Sequence, residues 1–150
     1  MIRFPAILAV LALLLVLPAR PASAEVPGLS RSALLEAINA ERAKAGLTAL
    51  TADPGLDAAA QEWAQTAARR RSLSHRKDLK PLMLRGGWST LNENIYTGTG
   101  AMSPARIVRA WMASPGHRKN LLAPRITAAG LGAATAADGA AYAVFNGAGR

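Results

Sequence analysis

The C-terminal end of the chain is patterned differently from everything before it, and this change limits the fold more than any single motif does. Ile126 to Thr135 and Ala140 to Asn146 are two extended runs on either side of Ala137-Asp138-Gly139. An Asp-Gly pair between apolar runs is a short-range signature of a β-hairpin. Upstream the spacing is helical. Ser30 to Ala45 carries Leu34, Leu35, Ile38 and Arg42 at helical intervals, with Gly46 where a left-handed C-terminal cap is expected. Asp53-Pro54 supplies a helix cap followed by proline at the first helical position, and Leu56, Ala60, Trp63 and Ala67 form one apolar stripe. These signals predict a helix from Pro54 to about Arg70. Ser103-Pro104 repeats the start signal ahead of Ile107, Val108, Trp111 and Met112, and this helix is expected to stop at Ser114-Pro115-Gly116. Residues 72–91 lose periodicity around Pro81 and Gly86-Gly87 and read as a loop with one short helical turn, whereas Ile95-Tyr96-Thr97 has strand character. Three helices first and a hairpin last describe an α+β domain, not a βαβ repeat.

The first residues are set aside from the fold. Arg3 precedes an apolar run from Ile7 to Leu17, then Pro18, and Ala22-Ser23-Ala24 offers small residues for cleavage. Residues 1–24 therefore read as a secretory signal peptide, since the run is short for a bilayer span of roughly 20 residues. Residues 25–150 form the domain, with enough chain to bury about two-thirds of its unfolded surface, and the expected destination is secreted or periplasmic. There is no cysteine, which excludes a lipoprotein anchor and a disulfide framework, so packing, with or without a metal, has to stabilise the domain. The alanine- and arginine-rich composition looks bacterial.

Charge narrows the partners. Of 18 Lys+Arg and 9 Asp+Glu, two arginines, Arg3 and Arg20, fall in the leader, so the domain carries 16 basic against 9 acidic residues. This favours an envelope or extracellular anionic partner. The basic residues concentrate at Arg69-Arg70-Arg71, Arg76, Lys77, Lys80 and Arg85. A solvated helix end is the plain reading, because cations are favoured at helix C-termini. Nucleic acid is not expected, as no aromatic residue is interleaved with that stretch for base stacking. The Leu82-Met83-Leu84 cluster beside Lys80 and Arg85 fits either a buried loop anchor or a peripheral membrane contact. A monomer is expected.

Three residues carry the chemistry. His75, Glu93 within Asn92-Glu93-Asn94-Ile95, and His117 within Ser114-Pro115-Gly116-His117 supply two imidazoles and a carboxylate, enough for a metal or acid/base site if the fold gathers them. Two neutral imidazoles can ligate zinc or another divalent metal, while Glu93 adds a third ligand, orients a histidine, or activates a bound water as the candidate catalytic residue. The competing reading is a structural polar cluster in which Glu93 holds a histidine or the loop backbone. Asn94 and Ser114 stand near these three in sequence and are the further candidates for the same site. Ser114 lacks a G-x-S-x-G elbow and reads as a helix-terminal residue whose hydroxyl stabilises the turn that aims His117. Trp63 and Trp111 belong to the core, Trp88 either packs over the sheet or lines the cleft, and Asn39 and Asn120 are expected to bond to backbone.

An ordered set of fragments spans nearly the whole domain: Asn39-x-x-Arg42 with Gly46-Leu47, Asp53-x-x-Leu56, Trp63-Ala64, His75, Glu93-Asn94-Ile95, Trp111, Ser114-Pro115-Gly116-His117-Arg118-x-Asn120-Leu121-Leu122, Gly130-Leu131-Gly132 and Tyr142-Ala-Val-Phe145. Together they resemble the CAP superfamily, or SCP domain. The resemblance implies a three-layer α-β-α sandwich with a small antiparallel sheet and a central cleft in which two histidines and two acidic residues converge. His75, Glu93 and His117 match three of those positions, and Ser114 stands where animal and plant members carry the second acid. The function expected is a secreted binding module whose His/Glu cleft takes a divalent metal or small ligand. A metal-assisted hydrolase of peptides or cell-wall material and a lipid- or sterol-binding protein are the alternatives.

Overall fold

The computed structural model describes Val26 and residues 29–150, and the expected signal peptide lies outside the described residues. Helix α1 runs Arg31–Lys44, with the Ser30 side chain accepting from the Ala33 amide, and Gly46 follows it at a φ of 69°. Strand β1 is only Thr51–Ala52. Helix α2 spans Pro54–Arg70, the bounds its signals predict, and Asp53 accepts from the Leu56 amide at 2.9 Å. Then come α3 at Leu79–Arg85, β2 at Thr90–Gly98, α4 at Pro104–Ala113, α5 at Pro115–Leu121, β3 at Ala128–Thr135 and β4 at Ala141–Gly149. Gly139, at φ 83°, turns the β3–β4 hairpin where the Asp-Gly pair stands.

Three elements depart from the sequence reading. Strand β2 begins five residues before Ile95, because Thr90 to Asn94 pair along β4 despite their polar character. Pro115 does not end the helical region; it occupies the first position of α5, where its missing N–H costs nothing, so Ser114 closes α4 and opens α5 at once. Strand β1, too short to leave a periodic signal, pairs in parallel with β3 through Thr51 and Ala52.

The sheet order is β1-β3-β4-β2, with β3–β4 and β4–β2 antiparallel. Alternation along the strands gives each face its own layer. Ala129, Leu131, Ala143 and Phe145 pack with α1, α4 and α5 through Leu34, Ile38, Ile107, Trp111 and Leu121. Ile95, Ala134, Tyr142 and Val144 face the alanine stripe Ala60, Ala64, Ala67 and Ala68 of α2. The domain is an α+β sandwich with helices on both faces of a small, mainly antiparallel sheet. Helix α2 lies directly on β3 because Gly130 and Gly132 have no side chains there; a Cβ at either position would overlap the backbone at Leu56–Asp57 or Ala60–Gln61. Asp57 and Gln61 then accept from the Leu131 and Ala133 amides at 2.7 and 3.2 Å.

Two buried arginines complete the frame. Arg42, 1% exposed, donates to the carbonyls of Thr48, Leu121, Ala123 and Ile126, tying the end of α1 to the end of α5 and the approach to β3. Burial lowers its pKa, yet a guanidinium stays protonated, so these carbonyls carry its charge. The second, Arg76, belongs to the site described below. Asn39 brackets Leu50, donating to its carbonyl at 3.0 Å and accepting from its amide at 2.8 Å, the backbone role expected of it.

Candidate functional site

Strand β2 is an outer strand of the sheet, and both histidines are mounted beside it, one from each face. The period of two points Glu93 toward the α2 side, with Ile95, and points Asn92 and Asn94 toward the α4–α5 side. Each face then anchors one histidine.

On the first face, the chain leaving α2 brings His75 over Glu93. The Trp63 indole donates to the Ser74 carbonyl at 3.0 Å, and the Arg76 guanidinium stacks 5.5 Å from the centre of the Trp63 ring. Arg76 donates to the Ala59 carbonyl at 3.1 Å, to Glu62 at 3.1 Å and to both oxygens of Asp78. It is 8% exposed, so it does not belong to the solvated basic stretch in which its sequence neighbours place it. With Arg76 fixed, its backbone N–H reaches Glu93 Oε1 at 3.1 Å, and Nδ1 of His75 meets the same oxygen at 2.8 Å. The Glu93 side chain is 0% exposed and that of His75 56% exposed.

On the second face, amides bind α5 to β2. Asn94 donates to the His117 carbonyl at 3.0 Å, Asn92 to the Asn120 carbonyl at 3.2 Å, and Asn120 to the Glu93 carbonyl at 3.0 Å and to Asn94 Oδ1 at 2.9 Å. The two amides flanking Glu93 are thus the anchors of the His117 helix. Asn94 is fully buried, so its side chain lies behind the two histidines in the interior and not on a surface a ligand could reach. The imidazoles end with centroids 6.1 Å apart and planes tilted by 59°.

Burial raises the Glu93 pKa above the usual carboxylate range, against the opposing hydrogen bonds from His75 and Arg76. Burial, and then repulsion from His75, lowers that of His117 below the usual imidazole range, which keeps its lone pair free at neutral pH. With Glu93 ionised, Nδ1–H of His75 is the donor and Nε2 is the nitrogen left available. Of the three roles open to Glu93, the geometry matches the orienting one. Its Oε1 already accepts two hydrogen bonds, and among the described residues no group of three or more His, Cys, Asp or Glu is arranged to hold a metal.

Ser114 is half-buried at the α4–α5 junction, one helical turn before His117. Its carbonyl accepts from the Arg118 amide at 2.8 Å, but its hydroxyl caps nothing, so the backbone and not the side chain sets this turn. Trp88 packs with Leu56, Leu91, Ala128 and Ala148 under the Arg150 guanidinium, which resolves it as sheet packing. One residue escaped the sequence reading altogether. Asn146 lies directly across from Glu93 on β4, is fully buried, and has no hydrogen-bond partner for either amide atom; Glu93 Oε2 also lacks one. The signal was available, since Tyr142, Val144 and Asn146 alternate on one buried face.

Residues 35–146 match the model of the CAP, or cysteine-rich secretory protein, family. An uncharacterized protein of Bacillus subtilis strain 168, YkwD, is 35% identical over 105 residues, a match covering 66% of this chain, while the chain spans only 40% of the length of YkwD. Among solved structures, an outer surface protein from Borrelia burgdorferi superposes with a TM-score of 0.69 at 22% identity, covering 78% of this chain and 90% of that one. An extracellular SCP-domain protein from Bacillus anthracis gives 0.64 at 23% identity, over 78% of this chain and 39% of that one. With a family model matched from α1 to β4, and the same fold in both structures, this cysteine-free chain belongs to the CAP family.

Proposed function

We propose that the domain is a secreted binding module whose cleft takes a divalent metal ion between His75 and His117, or a small polar ligand in the same place. The observation that carries this reading is the hydrogen bond from His75 Nδ1 to the buried Glu93, the arrangement in which a carboxylate fixes an imidazole and leaves Nε2 to bind. A centroid separation of 6.1 Å suits two imidazoles sharing one ion, for which roughly 5–6.5 Å is expected from metal–nitrogen bonds of about 2 Å. Two protein ligands leave positions open, so a bound ion would polarise an oxygen of an incoming ligand, and its affinity would fall below that of closed four-ligand sites. A hydrolase reading needs a base facing the substrate. The buried, doubly bonded Glu93 supports a binding role instead.

Secretion is supported by the leader pattern and by the outer-surface and extracellular descriptions of the two structural relatives. An anionic envelope surface is the partner we assign to the outer side of α3, where Leu84 is 63% exposed beside exposed Lys80 and Arg85. Vesicles with anionic lipid should sediment the protein and zwitterionic vesicles should not; equal sedimentation with both, or with neither, removes this partner.

The cleft is tested by calorimetric titration with zinc of wild type, His75→Ala and His117→Ala. One saturable site lost in each variant is expected. Binding that is equal in all three, or absent from wild type, defeats the metal reading.

A further inference from the structure

Under α2, two buried polar side chains face each other with bonding capacity unused. Glu93 and Asn146 are directly paired across β2 and β4, a relation that sets their Cβ atoms about 4.5–5.5 Å apart on one face. Glu93 Oε2, Asn146 Oδ1 and Asn146 Nδ2 are all buried, and none finds a partner among the described residues. On the far side of Asn146 the neighbouring strand offers Gly130, over which the α2 backbone sits at Leu56 and Asp57. The three polar atoms of the two side chains thus lie among the sheet, the α2 helix and the Arg76 segment, out of reach of bulk solvent. A buried water needs two to four such atoms, and a buried amide left unbonded costs more than the immobilised water does.

We infer that Glu93 Oε2 and the Asn146 amide hold one internal water, and that Asn146 acts through it as the positioning residue that keeps Glu93 Oε1 aimed at His75 Nδ1. This deepens the reading of Glu93 as the carboxylate that orients His75. Asn146 suits the task because an amide offers both a donor and an acceptor. The water can therefore donate to the carboxylate while accepting from Nδ2 or donating to Oδ1. Without a second donor, Oε2 would be a half-satisfied carboxylate in a dry space. The side chain could then relieve this by rotating away from His75.

Two measurements test the inference without a metal, and zinc binding adds a further readout. A high-resolution crystal structure of the protein should show an ordered water within hydrogen-bonding distance of Glu93 Oε2 and the Asn146 amide. A direct Glu93–Asn146 contact, or no water between them, overturns the inference whichever variants fold. Nitrogen-15 NMR of neutral His75 should show the Nδ1–H tautomer, the minor one in free imidazole side chains, in wild type. Asn146→Leu, with the same branching at Cγ but no polar atoms, should shift His75 toward the Nε2–H form and weaken zinc binding about tenfold, the lower end of what outer-sphere partners contribute. Asn146→Ser, whose hydroxyl still offers a donor and an acceptor and which leaves room for a further water, should retain the wild-type tautomer. A folded Asn146→Leu protein with the wild-type tautomer removes the positioning role. Loss of zinc binding everywhere, with the tautomer result intact, removes the metal reading and leaves this one standing.

Discussion

The two histidines sit 6.1 Å apart but are held by opposite means. The His117 side is a lattice of amides and carbonyls around one cation: Asn92, Asn94 and Asn120 bind α5 to β2, and the Arg42 guanidinium grips the carbonyl that ends α5. The His75 side is a lattice of charges: Arg76 is set among Glu62, Asp78 and Glu93, and the imidazole it delivers is mostly exposed. The amides and carbonyls of the first mount do not titrate, whereas the carboxylates around Arg76 in the second do. The difference also separates their cores. Helices α4 and α5 pack through large side chains such as Trp111 and Leu121, whereas α2 packs through alanines and draws precision from polar bonds.

The two arginines distinguish the mounts by the largest effect. Arg42→Met leaves four carbonyls without their donor, three of them on buried or half-buried residues, and bonds to a charged group contribute about 1.5–3 kcal/mol each when buried. Since some of those carbonyls can recover water, a global loss of about 3–4 kcal/mol in urea unfolding is expected. Arg76→Met should cost less, about 2 kcal/mol, because Glu62 and Asp78 remain solvated and only the Ala59 carbonyl and the Trp63 contact are lost from the interior. Its effect should also be local, with faster amide exchange around His75 and none around His117. Equal losses, or an Arg76 change felt in α5, would show that the two mounts are one cooperative unit.

Titration sharpens the same contrast. A half-buried His117 with its pKa below the ordinary imidazole value of 6.5 binds fewer protons folded than unfolded just below that pH. Stability from this group is therefore complete above pH 6.5 and is lost as pH falls toward the folded pKa. Glu93 has the opposite sign. Its raised pKa means that the folded state holds a proton the unfolded state has released, so stability falls as pH rises from 4.5 to the folded value. His117→Gln should flatten the pH profile just below 6.5, and Glu93→Gln should flatten the decline just above 4.5, both read from urea midpoints across about pH 4–8. A profile unchanged by either substitution would contradict the burial assigned to that group.

The legible parts of the molecule were those with local signals. Asp53-Pro54 and Ser103-Pro104 marked two helix starts because capping and the fixed φ of proline act within one turn, and Asp138-Gly139 marked the hairpin for the same reason. His75, Glu93 and His117 stood out as chemistry-bearing residues in recognisable fragments. What the chain did not disclose depends on partners far away in sequence. Arg76 reads as one more cation until Trp63 and Ala59, on the preceding helix, close over it. The polar start of β2 looks like loop because its stabilisation comes from β4, more than 50 residues on. Asn146 lies between these cases: its alternation was visible, but its pairing with Glu93 was not.

Ser114 gives the smallest effect and the most pointed one. Its place before Pro115 is a capping position by sequence, and replacing a capping serine by alanine costs about 1 kcal/mol. Ser103 should behave that way, since its hydroxyl accepts from the Arg106 amide at 3.2 Å. The Ser114 hydroxyl makes no such bond, and the turn that aims His117 is closed by its carbonyl, which alanine keeps. Ser114→Ala should therefore stay within about 0.5 kcal/mol of wild type and leave zinc binding intact, while Ser103→Ala loses about twice that. Comparable losses for the two would mean that the hydroxyl caps α5 in solution, and that a titration-insensitive side chain shares the mounting of His117 with the asparagines.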